Sequence, residues 1–239
     1  MAQIQLGPIV LSSYAFFALC GAFACLIYGL FCIPKAQREQ SAYLLCYAGI
    51  GALVGAKLLY ILVSLPEISA HMDQWIYYVS SGFVFYGGLL GAIIGSVFYC
   101  HEFHKDFYGQ TNVLVPMIPL FHAFARIGCF FSGCCYGAES EFLGLPTFSV
   151  YANPMEINRI PVQLIEAGME FLLFLFLQFY KENRLYAYLF FYSIGRFLLE
   201  FWRGDPQRGI WILSTSQWIS IGIWFFLSLR FIQSYHHTK

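Results

Sequence analysis

Seven apolar runs, each long enough to cross a bilayer as a helix, leave this chain few folds to choose from. About 20 helical residues cover ~30 Å of hydrocarbon. The runs fall at about 9–33, 41–65, 82–99, 113–131, 162–180, 185–201 and 210–231. Lipid offers backbone groups no water to bond, so each run is expected to be helical. The ten-residue alternation of a membrane barrel is not seen. Charged residues make up only 11% of the 239, where a soluble domain carries about 25%, and mean hydropathy is +0.63. A soluble enzyme, a secreted disulfide scaffold and a disordered chain are thereby excluded. The 13 basic and 13 acidic residues cancel, so no basic field points to nucleic acid.

The placement of those few charges sets orientation. Lys35, Arg38, Lys105, Lys181, Arg184, Arg230 and Lys239 fall on one side, against Arg159, Arg203 and Arg208 on the other. The positive-inside rule then puts the N-terminus outside and the C-terminus in the cytoplasm. No Lys or Arg precedes the first run, so it lacks the basic stretch of a cleavable signal peptide and is expected to remain as a span. The expected fold is an all-α integral membrane protein of seven transmembrane helices forming a single domain over 1–239. A loop at about 132–161, carrying Glu139, Glu141 and Glu156, faces outward without helix or strand patterning; loops of that length are usually functional or disordered.

Lys57, Arg126, Glu166, Glu170, Arg196 and Glu200 lie inside or at the edge of spans. A central Arg, Lys or Asp costs about 2.5–3.5 kcal/mol on insertion scales. For Lys57 and Glu170 ion pairing or snorkelling is a sufficient account. Arg126 and Arg196, with Arg203 just outside, are enough for a phosphate clamp, because guanidinium presents a planar fork to two oxygens at once. Arg196, Glu200 and Arg203 stand at i, i+4 and i+7, on one helix face, where Glu200 can orient either arginine. A structural salt-bridge string is the competing reading. Gly51 and Gly55, then Gly87, Gly91 and Gly95, repeat every four residues and suggest close helix packing. Gly87 and Gly88 after Tyr86 also offer bare backbone to a head group.

Five of the eight cysteines lie in or beside apolar runs, as small hydrophobes. Cys129, Cys134 and Cys135 cluster in sequence. Three readings stand: metal ligands, disfavoured because four ligands and a paired CxxC are missing; a disulfide on an oxidising face; and a nucleophilic thiol activated by Arg126. His122, one turn before Arg126, is either a base or a packing and hydrogen-bonding residue.

Several segments, in order along the chain, resemble the prolipoprotein diacylglyceryl transferase family. Tyr14 matches a tyrosine of its first span. Gly55-Ala56-Lys57-Leu58-Leu59-Tyr60 is similar to a glycine-alanine-arginine-x-x-tyrosine stretch, and Tyr86-Gly87-Gly88 to a histidine-glycine-glycine motif. Arg126-Ile127-Gly128-Cys129-Phe130-Phe131-Ser132-Gly133 resembles the signature arginine-x-glycine-asparagine-phenylalanine-x-asparagine-glycine. Pro161-Val162-Gln163-Leu164-Ile165-Glu166 and Gly195-Arg196-Phe197 with Glu200 and Arg203 complete the series.

The resemblance implies an inner-membrane enzyme of lipoprotein biosynthesis. Such an enzyme moves the diacylglyceryl group of phosphatidylglycerol to the lipobox cysteine of a preprolipoprotein and releases glycerol phosphate. It implies no metal or cofactor, because the substrate brings its own nucleophile. Arg126 and Arg196 would hold the phosphate, oriented by Glu166, Glu200 and Arg203. Tyr14, Gly87, Gly88, Gln163, Cys129, Ser132, Gly133 and Gly137 would line the substrate site. Tyr86 replaces the family histidine, and a phenol, of ordinary pKa about 10, is a poor base, which leaves His122 as the candidate. Cys129 and Ser132 replace the two asparagines and Cys134 a glutamate, marking a divergent, cysteine-bearing branch. Two other functions fit these residues. One is a paralogous phospholipid-dependent transferase with another acceptor. The other is a non-enzymatic transporter or lipid-binding protein, for which repeat symmetry with broken helices is expected and only one Pro-broken span is seen.

Overall fold

A computed structural model describes residues 3–6, 9–80, 82–142, 144–147, 157–204, 209–210 and 212–237. Glu156, Arg208 and Lys239 lie outside the described residues. Each of the seven apolar runs contains a helix, with boundaries shifted by local chemistry. The described residues form two compact units, one made of Met1–Cys32 with Leu114–Lys239, the other of Ile33–Val113.

In the first unit an antiparallel hairpin, β1 (Gln3–Leu6) and β2 (Ile9–Ser12), precedes α1 (Ser13–Phe31). The expected helical start at residue 9 therefore gives way to a strand. Ser12 caps the helix by accepting a hydrogen bond from the Ala15 amide at 3.2 Å, the usual way to satisfy a first-turn donor. α6 (Met117–Phe131) lies against α1 and against α7 (Val162–Phe179). α8 (Arg184–Leu199) follows, then α9 (Thr215–His237). Ser214 and Gln217 cap α9 reciprocally: each side chain accepts from the other's backbone amide, at 3.2 and 3.0 Å. Arg184 Nε donates to the Leu177 carbonyl at 2.8 Å and closes the end of α7.

The fold is not wholly helical. The loop at 132–161 is patterned after all, because β3 (Leu145–Thr147) and β4 (Ile157–Arg159) pair antiparallel within it. A third hairpin joins β5 (Gly209–Ile210) to β6 (Leu213–Ser214).

The second unit is built on α2 (Lys35–Ala70), α3 (Trp75–Ser80), α4 (Phe85–Glu102) and most of α5 (Phe107–Leu114). The glycine repeat is its seam. A Cβ on Gly51 would overlap the Gly91 carbonyl, one on Gly55 that of Gly87, and one on Gly95 that of Tyr47. Partner numbers fall as α2 rises, so the helices run antiparallel with backbones in contact, the close approach that small residues four apart permit. Gly87 and Gly88 are taken up by this seam: the first meets Gly55 and Leu59, the second Ala56. Gly87 is thereby buried, whereas Gly88 is only partly covered. Lys57 Nζ donates to the carbonyls of Tyr78 and Gly82, both at 3.4 Å, a structural role like the one expected of it.

The run at 113–131 is broken where expected. α5 ends at Leu114 and α6 begins after Pro116, which supplies no amide donor to a continuous helix. Burial is inverted at several positions. Glu170 is 0% exposed and Gln163 1%, whereas Leu172 on the same helix is 67% exposed and Ile94 on α4 68%. Such a surface suits a hydrocarbon solvent, and four helical stretches among the described residues are long and apolar enough to cross a membrane: Ser13–Phe31, Lys35–Ala70, Phe107–Phe131 and Val162–Phe179.

The seam makes a direct prediction. Gly91→Val should force α2 and α4 apart and lower the thermal unfolding midpoint in detergent by at least about 5 °C. Gly49→Ala on the same α2 meets nothing within 4 Å and should leave the midpoint unchanged or slightly raised.

Candidate active site

Two pairs of residues one helical turn apart face each other across α6 and α7. Arg126 Nε lies 2.9 Å from Glu166 Oε2, and His122 Nδ1 lies 2.6 Å from Glu170 Oε1. Both carboxylates are on α7 and almost fully buried, at 2% and 0% exposed. Carboxylates removed from water must be paired. The pairing of 122 with 170 and 126 with 166 requires antiparallel helices in this register.

Arg126 Nε also donates to His122 Nε2 at 3.1 Å. Guanidinium is always protonated, so Nε2 must be the acceptor and the imidazole proton sits on Nδ1, toward Glu170. Both ring nitrogens are thus engaged. In this arrangement His122 braces Arg126 and has no lone pair free to take a proton, which favours the hydrogen-bonding reading over the base. The consequence for Arg126 is more telling. It is held through Nε alone, and among the described residues its two terminal nitrogens make no hydrogen bond.

α8 adds the second arginine. Arg196 is buried, its Nη1 lies 2.7 Å from Glu200 Oε2, and its Nε is 3.9 Å from Glu166 Oε1. Glu166 therefore sits between two guanidinium groups, and Glu200 orients Arg196. The expected shared face with Arg203 does not form. α8 ends at Leu199, residues Glu200–Trp202 make a 3-10 turn, and Arg203 is extended, bridging Gly137. Ser193 Oγ accepts from Trp224 Nε1 at 2.8 Å and fixes α8 against α9.

After α6 the chain turns through two left-handed residues, Gly133 (φ 68°) and Cys135 (φ 59°). Only glycine adopts the first at no cost, and a side chain there costs roughly 1–2 kcal/mol. The turn folds Cys134 and Cys135 back over Cys129, and the three sulfurs lie within 4.8 Å of one another. All eight cysteines are free thiols. Hydrogen bonds from Cys129 and Cys134, aided by Arg203 and Arg126, hold the Cys135 thiol far below its ordinary value.

Gln163, expected to meet a head group, is buried. Its side-chain amide donates to the Cys134 carbonyl at 2.7 Å, so it anchors the cysteine turn. Gly137 likewise serves packing, since a Cβ there would overlap the Ile160 carbonyl. Ser132 is buried, and among the described residues its Oγ has no partner. Tyr14, 45% exposed at the start of α1, lies within electrostatic reach of Arg126 and Cys129. Tyr86 is on α4 of the second unit, 44% exposed.

The family model described as prolipoprotein diacylglyceryl transferase matches residues 2–232. The chain belongs to that family. It is 36% identical over 213 residues to the phosphatidylglycerol–prolipoprotein diacylglyceryl transferase of Clostridium tetani, covering 82% of this chain and 84% of that protein. A relative named phosphatidylglycerol–prolipoprotein diacylglyceryl transferase 2, from Clostridium perfringens, is 33% identical over 73% of this chain and 71% of its own. One from Acinetobacter baumannii is 28% identical over 92% of this chain and 89% of its own. Family membership makes the chain a membrane transferase and gives the arginine pair a chemical setting.

Glu170 is the residue that sequence reasoning undervalued. The signal was available: Glu166 and Glu170 repeat the four-residue spacing of His122 and Arg126. Glu170→Ala should strip the imidazole N–H of its buried partner and cost about 3 kcal/mol. Glu170→Gln, which keeps an oxygen there, should cost less than half as much. Thermal unfolding in detergent distinguishes them.

Proposed function

We propose that the whole chain works as one membrane domain of seven spans in the bacterial inner membrane, N-terminus outside, C-terminus cytoplasmic, with the loop at 132–161 facing outward. Its reaction is transfer of the diacylglyceryl group of phosphatidylglycerol to the lipobox cysteine of a preprolipoprotein. The observation that carries this reading is Arg126, held at its base on Glu166 and His122 while, among the described residues, its terminal nitrogens make no hydrogen bond.

The acceptor sulfur attacks the glyceryl carbon, a C–S bond forms, and the C–O bond to phosphate breaks. The electron pair leaves on the phosphate oxygen of glycerol phosphate. Negative charge thus grows on that oxygen in the transition state, where a preorganised bidentate donor in a dry site has most effect. Arg126 meets it directly. Arg196, oriented by Glu200, supplies the second charge, and Glu166 keeps the two guanidinium groups together in the absence of phosphate. Tyr14, half-exposed and within electrostatic reach of Arg126, contributes a hydroxyl contact to the bound lipid. Ser132, Gly133 and Cys129 line the turn beside it.

Chemistry argues against an enzyme cysteine as relay. A thioether on the protein has no good leaving group, so a diacylglyceryl group parked on Cys129, Cys134 or Cys135 would stay there. Transfer is direct.

Purified protein given phosphatidylglycerol and a lipobox peptide should yield the diacylglyceryl thioether by mass spectrometry. Arg126→Lys keeps the charge and loses the fork, and should cut the rate at least about 100-fold while the protein stays folded. A fully active Arg126→Lys would remove the clamp. No product from folded protein, beside an active family member, would remove the acceptor assignment.

A further inference from the structure

Thiol activation is the step the arginine cluster leaves unsupplied. A cysteine at its ordinary pKa of about 8.5 is mostly protonated at neutral pH and is a weak nucleophile until deprotonated. The family histidine is Tyr86 here, and both nitrogens of His122 are engaged by Arg126 and Glu170. Near the clamp, however, stands a group with no part in phosphate binding: three thiols with all sulfurs within 4.8 Å of one another.

We infer that Cys129, Cys134 and Cys135 form a three-thiolate zinc site whose open fourth position takes the acceptor's cysteine thiol. The inference rests on the transferase reading above for the identity of that thiol. Zinc–sulfur bonds of about 2.3 Å in a tetrahedron hold ligands roughly 3.8 Å apart, within reach of the observed sulfurs by small side-chain rotations. A structural zinc needs four protein ligands, but a catalytic one keeps three and leaves a position for substrate. Three is therefore the expected number, and the lack of a fourth ligand among the described residues is no objection.

Second features support the site. Gln163, 1% exposed, clamps the Cys134 carbonyl, and left-handed backbone at Gly133 and Cys135 folds the turn over Cys129. Three thiolates around one zinc carry a net negative charge. Arg126 and Arg203 are both within electrostatic reach of Cys135 and offset it. Cys129 follows Arg126 by three residues on α6, which sets the metal one helical turn from the phosphate clamp.

The step balances without redox chemistry. The acceptor thiol binds zinc, and its proton leaves to water past the half-buried Cys134 and Cys135. The zinc-held thiolate attacks the glyceryl carbon, and glycerol phosphate departs with the electron pair of the broken C–O bond. The thioether product is a weaker zinc ligand than the thiolate and is released.

The full chain, purified reduced in detergent, should contain about one zinc by elemental mass spectrometry. Cys129→Ser, Cys134→Ser or Cys135→Ser should each bring it to a small fraction. Cobalt in place of zinc reads the site without depending on any variant. It should show thiolate charge-transfer bands that grow when a lipobox peptide is added and do not respond to the same peptide with serine for cysteine. Failure of the reduced, folded protein to bind zinc or cobalt stoichiometrically overturns the site, as does copper in its place. A Cys129 disulfide in active protein overturns it too. Lipid transfer by zinc-free protein overturns the inference while leaving the transferase reading intact. Zinc with a peptide-thiol response but no transfer from phosphatidylglycerol supports the metal site and removes the donor assignment instead.

Discussion

Two carboxylates with no access to water, Glu166 and Glu170, set the terms for the first unit. A buried carboxylate without a partner would cost several kcal/mol, so α7 can dock only where α6 offers Arg126 and His122 at the matching spacing. A slip of one turn would break both pairs. The same pairing holds Arg126 through Nε and leaves Glu166 near Arg196 as well. Register, helix direction and the grouping of Arg126, Arg196 and Glu166 are consequences of one desolvation constraint.

The two units solve helix association in lipid by different means. Apolar side chains gain nothing by leaving hydrocarbon for one another, so contact must come from close packing or from polar pairs. In the second unit it comes from Gly51, Gly55, Gly87, Gly91 and Gly95, which let the backbones touch. In the first, α6 and α7 are joined by ionic pairs, and α8 and α9 by the Trp224–Ser193 hydrogen bond. The ionic seam differs from the glycine seam in carrying buried charge, Arg126 and His122 against Glu166 and Glu170.

What could be read from the sequence follows from which signals are periodic. Helices came through because apolar length is a bulk property: each of the seven runs contains a helix, and the break at Pro116 falls where proline removes a donor. Ends were less legible, as at residues 9–12, where four apolar and polar residues pair with the chain before them. Long-range closure was illegible. Gln163 reaching the Cys134 carbonyl, Gly137 under Ile160 and Arg203 in a bridge to Gly137 all depend on loop paths that no local pattern encodes. Glu170 was legible but outweighed, since a lone charge in a span is usually paired off; only its spacing relative to Glu166, set against His122 and Arg126, reveals the ladder.

The departures from the family pattern become coherent when taken together. Where the resembled motif has a histidine this chain has Tyr86, and a phenol of ordinary pKa near 10 is a poor base at neutral pH. One remedy is another base, but the histidine nearest the clamp is committed to Arg126 and Glu170. The other is to lower the pKa of the acceptor instead of supplying a stronger proton acceptor, and a metal does that by coordinating the thiolate. Cysteine at the position of one signature asparagine and of a nearby glutamate, with Cys135 beside them, assembles such ligands where the chain leaves α6. Neither replacement explains itself: a lone Cys129 would be a small hydrophobe, and a lone Cys134 a loss of charge. As a set with Cys135, they exchange a proton-accepting site for a thiolate-holding one while Arg126, Arg196 and Glu166 stay in place.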